Sequence, residues 1–173
     1  MGLFKKKQPV FNMENVEKNK QKMRELFNAA VEDGDSYKVL HAHATVSDYN
    51  AFTKVRTSTY TNYIFGYKEE GYSVVVMSVD RDLTSVGMPR YIDIQTVKET
   101  NYYKKYCQAW FVYEDSKTYG YGTELQIDDH PSNTQYTTPD IKQEEEREAF
   151  LDFFEKYTEH LRAMGRKIKP WKR

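Results

Sequence analysis

The most regular alternation of apolar and polar positions lies near the end of the chain. Between Asp140 and Met164, apolar side chains recur at Phe150, Phe153, Phe154, Tyr157, Leu161 and Met164. Steps of three and four gather them into one stripe, so the spacing predicts a helix over 139–164 with a strongly aromatic face. Thr138-Pro139 offers an N-cap and a first-turn proline, and Asp140 with Gln143 offers a capping box as an alternative start. A second helix is predicted over 12–33, where Glu, Lys, Asn, Gln and Met dominate and Gly34 supplies a stop. Its apolar positions Val16, Met23, Leu26, Phe27, Ala30 and Val31 make a usable face only in the second half. That helix is expected to dock by its last two turns and to fray at its start.

Between the helices the period shortens to two. Tyr37 to Val46 alternates, with Tyr37, Val39, His41, His43 and Thr45 on one face and Leu40, Ala42, Ala44 and Val46 on the other. Thr53 to Tyr67 is rich in Thr, Tyr, Ile and Phe and long enough to be bent or bulged. Lys68-Glu69-Glu70-Gly71 makes a hairpin loop into a return strand, Tyr72 to Val79. Further strands are predicted at Tyr91 to Val97, Cys107 to Tyr113 and Thr118 to Ile127, the last two joined by a turn at Glu114 to Lys117. Asp128 to Gln143 reads as a loop. Strands adjacent in sequence pair most readily with each other, which makes the sheet mostly antiparallel. The expected fold class is therefore α+β, mostly antiparallel β: a bent sheet or partly open barrel with a C-terminal capping helix and an additional N-terminal helix. The expected organisation is a flexible basic leader (1–11), one β-rich domain (12–165, its strands within 37–127) and a basic tail (166–173).

Composition sharpens this picture in three respects. Aromatic residues make up 15% of the 173 residues, so the core is expected to be built from rings. Cys107 is the single cysteine, which rules out an intramolecular disulfide. No apolar run approaches the roughly 20 residues that span a bilayer, and Met1 to Lys7 lacks the apolar region of a signal peptide, so the expectation is a cytoplasmic, non-transmembrane protein. Charge balances overall, with 26 basic and 26 acidic residues, but both ends are basic. Acid at the start of the last helix and base at its end complement the helix dipole, which explains much of that asymmetry.

No constellation commits the chain to a chemistry. His41 and His43 stand two apart on a strand, so both imidazoles can reach one metal ion, but a third and fourth ligand are needed, and His130 and His160 are too far in sequence to assign. Two surface histidines on an open sheet face explain the pair equally well, so a metal role is not expected. Thr45 stands where a longer His-x-His-x-Asp-His motif needs Asp. Cys107 lies in an apolar strand without a visible base, which favours a buried structural thiol. Tyr102-Tyr103-Lys104-Lys105-Tyr106 mixes rings with cations, yet no larger basic stripe accompanies it and nucleic acid is not expected. Lys5, Lys6 and Lys7 with Leu3-Phe4, and Arg166, Lys167, Lys169, Trp171, Lys172 and Arg173, are the candidate binding residues, suited to an anionic lipid surface. A disordered basic tail that only keeps the chain soluble is the favoured alternative for the terminal segment.

The strand hairpins, the Tyr91 to Val97 strand, the Trp110-Phe111-Val112-Tyr113 / Tyr119-Gly120-Tyr121-Gly122 hairpin and the closing Phe150-Leu151-Asp152-Phe153-Phe154-Glu155-Lys156-Tyr157 helix follow one another in an order that resembles the bacterial pleckstrin-homology-like domains. The resemblance covers roughly residues 37–164 and implies a bent antiparallel barrel plugged by its C-terminal helix. Six strands are counted where that fold has seven, and the N-terminal helix is extra. The early hairpin loop, Lys68-Glu69-Glu70, is net acidic, so a lipid-headgroup site does not carry over. The resulting expectation is a non-catalytic interaction module with no cofactor, binding an unknown protein partner or an anionic membrane surface. The alternative is a small-ligand-binding or enzymatic α+β cone of cystatin-like or helix-grip type, with Glu14 to Asp33 as the gripping helix around an aromatic pocket.

Overall fold

The computed structural model describes residues 10–103, 107–113, 122–131 and 139–170. Two helices, α1 (Met13–Ala30) and α2 (Glu144–Ala163), accompany eight strands among the described residues. These are β1 (Lys38–Asn50), β2 (Val55–Lys68), β3 (Ser73–Val79), β4 (Arg90–Ile92), β5 (Val97–Tyr103), β6 (Gln108–Tyr113), β7 (Gly122–Gln126) and β8 (Lys167–Pro170). They form one sheet in the order β4-β3-β2-β1-β7-β6-β5-β8, antiparallel except for the β5–β8 pair. The sheet is open, with β4 and β8 at its edges. The mostly antiparallel α+β class with a helix at each end is therefore the observed one.

The aromatic stripe of α2 lies on one face of the sheet. Phe150, Phe153, Phe154, Tyr157 and Leu161 are fully buried against Leu40, Ala42, Phe65, Tyr67, Val74, Phe111 and Leu125. The rings meet edge-on or tilted: Phe65–Phe150 at 5.2 Å, Tyr67–Phe153 at 4.6 Å and Phe111–Phe154 at 5.7 Å between centroids. Burial of each such side chain contributes about 1.5–3 kcal/mol, and each ring pair about 0.5–1.5 kcal/mol more. Phe65 and Tyr67 belong to β2, whereas Phe111 belongs to β6. The helix thus ties together the two groups of strands, which among the described residues pair directly only at His43 opposite Gln126.

On the opposite face, α1 buries Met23, Phe27 and Val31 against Tyr37, Ile64, Val75, Met77 and Val79. Phe27 sits directly over Gly66 of β2, where an added Cβ would lie 2.1 Å from the ring Cζ. A glycine inside a strand is needed here for close approach of another element.

Several local expectations change. α1 docks along its length rather than by its last two turns, because Val16 is fully buried and the Asn12 side chain caps the first turn by accepting the Asn15 N–H at 3.3 Å. The polar stretch that suggested fraying anchors the helix instead: Asn19 Nδ2 donates to the Asp140 carbonyl at 2.9 Å, and Lys20 pairs with Glu146. The helix ends at Ala30, ahead of Gly34, with the chain turning through Asp33 at φ 57°.

α2 begins at Glu144, not at residue 139, and neither Thr138-Pro139 nor an Asp140–Gln143 box starts it. Ile141 is held extended by two backbone hydrogen bonds to His130, at 2.7 and 2.8 Å. Tyr91 to Val97 is not one strand. Asp93 Oδ1 accepts the Gln95 N–H at 2.8 Å and the Asp93 carbonyl accepts the Thr96 N–H at 2.9 Å, a turn that separates β4 from β5. The β1–β2 ladder runs without a bulge from Lys38 opposite Tyr67 to Asn50 opposite Val55. Residues 167–170 of the expected basic tail form β8, parallel to β5, with Lys167 opposite Glu99.

Replacing Gly66 with Ala is expected to destabilise the protein by about 1–3 kcal/mol, through overpacking against Phe27. Urea denaturation of Gly66→Ala beside Gly66→Ala/Phe27→Leu measures this. The double variant should recover part of the loss, and equal losses would mean that the ring does not rest on Gly66.

Candidate functional site

The described structure gathers three histidines that are far apart in sequence. His41 and His43 project from β1 on the face shared with α1, and His130 enters from the segment that returns along that face, held there by its pair of bonds to Ile141. The His130 ring stands edge-on to both others, at 5.2 Å from His41 and 5.0 Å from His43 between centroids. All three are buried, with exposures of 0%, 9% and 7% for His41, His43 and His130. This replaces the expectation of two surface histidines on an open sheet face. Sequence spacing identified the His41–His43 pair and left the third member unassigned.

A glutamine explains how the returning segment is seated. Beyond His43 the β1 edge has no β7 partner at His41, and the Gln143 side chain takes that role. Gln143 Oε1 accepts the His41 N–H at 2.9 Å, while Gln143 Nε2 donates to the carbonyls of His41 at 2.9 Å and Asp128 at 2.8 Å. The Gln143 N–H in turn donates to Asp129 Oδ1 at 2.9 Å. A side-chain amide carries one donor group and one acceptor in the same plane, so it can mimic a strand where backbone pairing ends. Asp128 is steadied by Gln126 Nε2, and Gln126 Oε1 accepts from Gln108 Nε2 at 3.2 Å.

The imidazoles are held neutral. Burial pushes His41 down to about 3, with the neighbouring His130 and His43 adding to the effect, against a hydrogen bond that the ring donates to Asn62 Oδ1. Burial likewise lowers His130 to about 4 and depresses His43, while Asp129 and Asp128 respectively oppose those shifts. His41 Nε2 lies 3.2 Å from Asn62 Oδ1. His41 Nδ1, His43 Nδ1 and His130 Nε2 are buried without a hydrogen-bond partner. Each such orphan costs about 1–3 kcal/mol, so three in one cluster form an unusual concentration of unused polar capacity. As the side chains stand, no three His, Cys, Asp or Glu groups among the described residues are arranged to hold a metal ion.

Cys107 is buried and its thiol is pushed up to about 12 by burial, which leaves it protonated and inert at neutral pH. His160, the remaining histidine, is exposed on α2 and stacks on Tyr72 at 4.7 Å. Two clefts lie along α1, one of about 330 Å³ with a mainly polar and charged lining that includes Asn15, Lys18 and Asp82, and one of about 170 Å³ where Met23, Val39 and Leu40 stand beside Lys20, Arg24 and Glu146.

The predicted basic patch is divided. Lys5, Lys6, Lys7, Trp171, Lys172 and Arg173 lie outside the described residues. Arg166 Nη2 donates to the Gln95 carbonyl at 2.6 Å, and Lys167 and Lys169 belong to β8, so these three are part of the sheet margin rather than a loose tail.

Sequence reasoning missed a larger surface. The distal halves of β1 and β2 extend past their neighbours as a two-stranded arm. β3 begins to pair with β2 only at Asn62, and β7 reaches β1 only at His43. Beyond those points both outer edges lack a ladder partner among the described residues. At the tip, Asn50 Oδ1 accepts the N–H groups of Phe52 and Thr53, at 3.0 and 3.1 Å, and fixes the turn. Phe52 is 99% exposed, and Tyr49, Val55 and Tyr60 on the same arm are also exposed. The high β propensity of Thr53 to Tyr67 was readable, but propensity does not say whether a strand is covered. Compared with known families, curated proteins and solved structures, the chain matches none.

Because the unfolded chain binds protons on its histidines near pH 6.5 while the folded cluster resists them, stability is full above about pH 6.5 and falls as pH drops toward 4 and 3. Urea midpoints measured in the presence of a chelator between pH 7.5 and 4.5 should decline with falling pH. His130→Gln should flatten that slope, and an unchanged slope would exclude the cluster as its source.

Proposed function

We propose that this protein is a non-catalytic, cytoplasmic interaction module of pleckstrin-homology-like type that holds a protein partner on its β1–β2 arm. The observation that carries the reading is the arm itself: a two-stranded ribbon whose outer edges have no ladder partner among the described residues, with an apolar tip. An unpaired strand edge is a template for an added strand, in which main-chain hydrogen bonds supply affinity and alternate side chains supply specificity. Exposed rings beside polar threonines match the aromatic anchors and polar rims of protein interfaces.

The strand order supports the pleckstrin-homology-like part of the reading. Seven strands in the order β4-β3-β2-β1-β7-β6-β5, followed by a helix whose rings cover the sheet, supply the count that six predicted strands left short. No helix among the described residues is long and apolar enough to cross a membrane. The core that an aromatic-pocket enzyme would keep open is filled by α2 rings, which favours binding at the surface over chemistry within.

Site-specific photo-crosslinking in the native cell tests this. A benzophenone side chain at position 52 is expected to give a discrete adduct with a protein. The adduct should disappear when Tyr49 and Val55 are replaced by Ser, and the same probe at the exposed but distant Tyr91 should not give it. Crosslinks to lipid alone, or equal adducts from positions 52 and 91, would contradict the proposal.

A further inference from the structure

We propose that His41, His43 and His130 form a binding site for a borderline divalent transition metal ion, with zinc as its natural class. The site is independent of the arm and of the binding function assigned to it.

Four features of the cluster carry this. The first is composition: three imidazoles and no thiolate, a donor set suited to zinc, copper or nickel rather than to magnesium or calcium, which take oxygen ligands. The second is spacing. A tetrahedral ion with bonds of about 2.0–2.1 Å to two imidazole nitrogens sets the ring centroids roughly 5 Å apart. His130 stands 5.2 Å from His41 and 5.0 Å from His43. The third is unused capacity, since each ring keeps one buried nitrogen without a partner: His41 Nδ1, His43 Nδ1 and His130 Nε2. Ordinary packing of three histidines would leave those lone pairs or N–H groups paired, because a buried orphan is costly. The fourth is the surrounding shell. Asn62 holds the far nitrogen of His41, and Asp128 and Asp129 bring negative charge beside His43 and His130 while their contacts to Gln126 and Gln143 fix them in place. Metal-ligating histidines characteristically have such outer partners.

The rings as they stand do not converge on one point, which is why no group of three is arranged to hold an ion. Convergence requires rotation about the terminal side-chain torsion, which is broad and roughly two-fold for histidine. It does not require β1 to move, because His41 and His43 already share a face. The expected ion therefore has three protein ligands and a fourth position for water. It also clamps His130 to β1, adding to the hydrogen bonds of Gln143.

Cobalt(II) is the probe, because tetrahedral coordination by nitrogen gives visible d–d bands far more intense, and at longer wavelength, than the weak bands of octahedral cobalt held at a wet surface. Chelator-treated, full-length protein is titrated with cobalt(II) and then with zinc in competition, and thermal unfolding is followed with zinc, magnesium and calcium. The proposal expects one cobalt per chain with tetrahedral bands, displacement of cobalt by zinc, and a rise in melting temperature with zinc alone. His130→Gln should weaken binding at least about tenfold, whereas His160→Ala should leave it unchanged. If His41→Ala fails to fold, His43→Gln supplies the second variant, on the rim of the same cluster. Absence of tetrahedral bands, or unchanged affinity in folded His130→Gln, would overturn the site. Loss on His160→Ala alone would assign the ion to the surface of α2 and overturn it equally.

Discussion

The packing of α2 rings across the seam between two groups of strands is the contact on which the rest depends. β1 to β4 make one ladder and β5 to β7 another, and among the described pairs a single bridge, His43 with Gln126, joins β1 to β7. One bridge cannot hold the two halves of the sheet in register. Phe150 and Phe153 reach Phe65 and Tyr67 of β2, while Phe154 and Tyr157 reach Phe111 of β6. The helix acts as a wedge of rings that both ladders grip, and it leaves little room for a ligand inside.

With the inner face occupied by α2, two features stand out elsewhere on the molecule. One is the arm, where β1 and β2 outrun their neighbours among the described residues and expose rings at the tip. The other is the face shared with α1, where the segment leading into α2 folds back over β1. That return is possible because Gln143 supplies through its side chain the pairing that a strand would otherwise give. The start of α2 and the burial of the histidines thus have a common cause. Ile141 is bridged to His130 and the Gln143 side chain is bonded to β1, so the helix waits until Glu144 and His130 is carried onto His41 and His43.

Much of the fold was legible because it rests on periodicity. The stripe from Phe150 to Leu161 and the alternation from Tyr37 onward report burial directly, and the antiparallel order follows from short connections. Errors arose where a side chain overrode a local preference. Asp93 turned a run of β-formers, Asn19 and Lys20 anchored a polar helix turn across to 140–146, and Gln143 left its capping role for the β1 edge. The candidate site was half legible. His41 and His43 could be paired by spacing, but His130 lies in the irregular segment after β7, whose path no local rule predicts. The arm was invisible for a different reason: its residues read as an ordinary strand, and exposure on both faces depends on where other strands stop.

Native-state amide hydrogen exchange tests the central claim most directly, because it resolves stability segment by segment. If α2 holds the two ladders together, the amides of 150–161 and of the β2 segment 62–67 should exchange slowest, at rates set by global unfolding. Those of 47–58 should exchange orders of magnitude faster. Exchange of 150–161 as fast as the arm, with the strands still protected, would show that the sheet stands without its helix and would contradict the account.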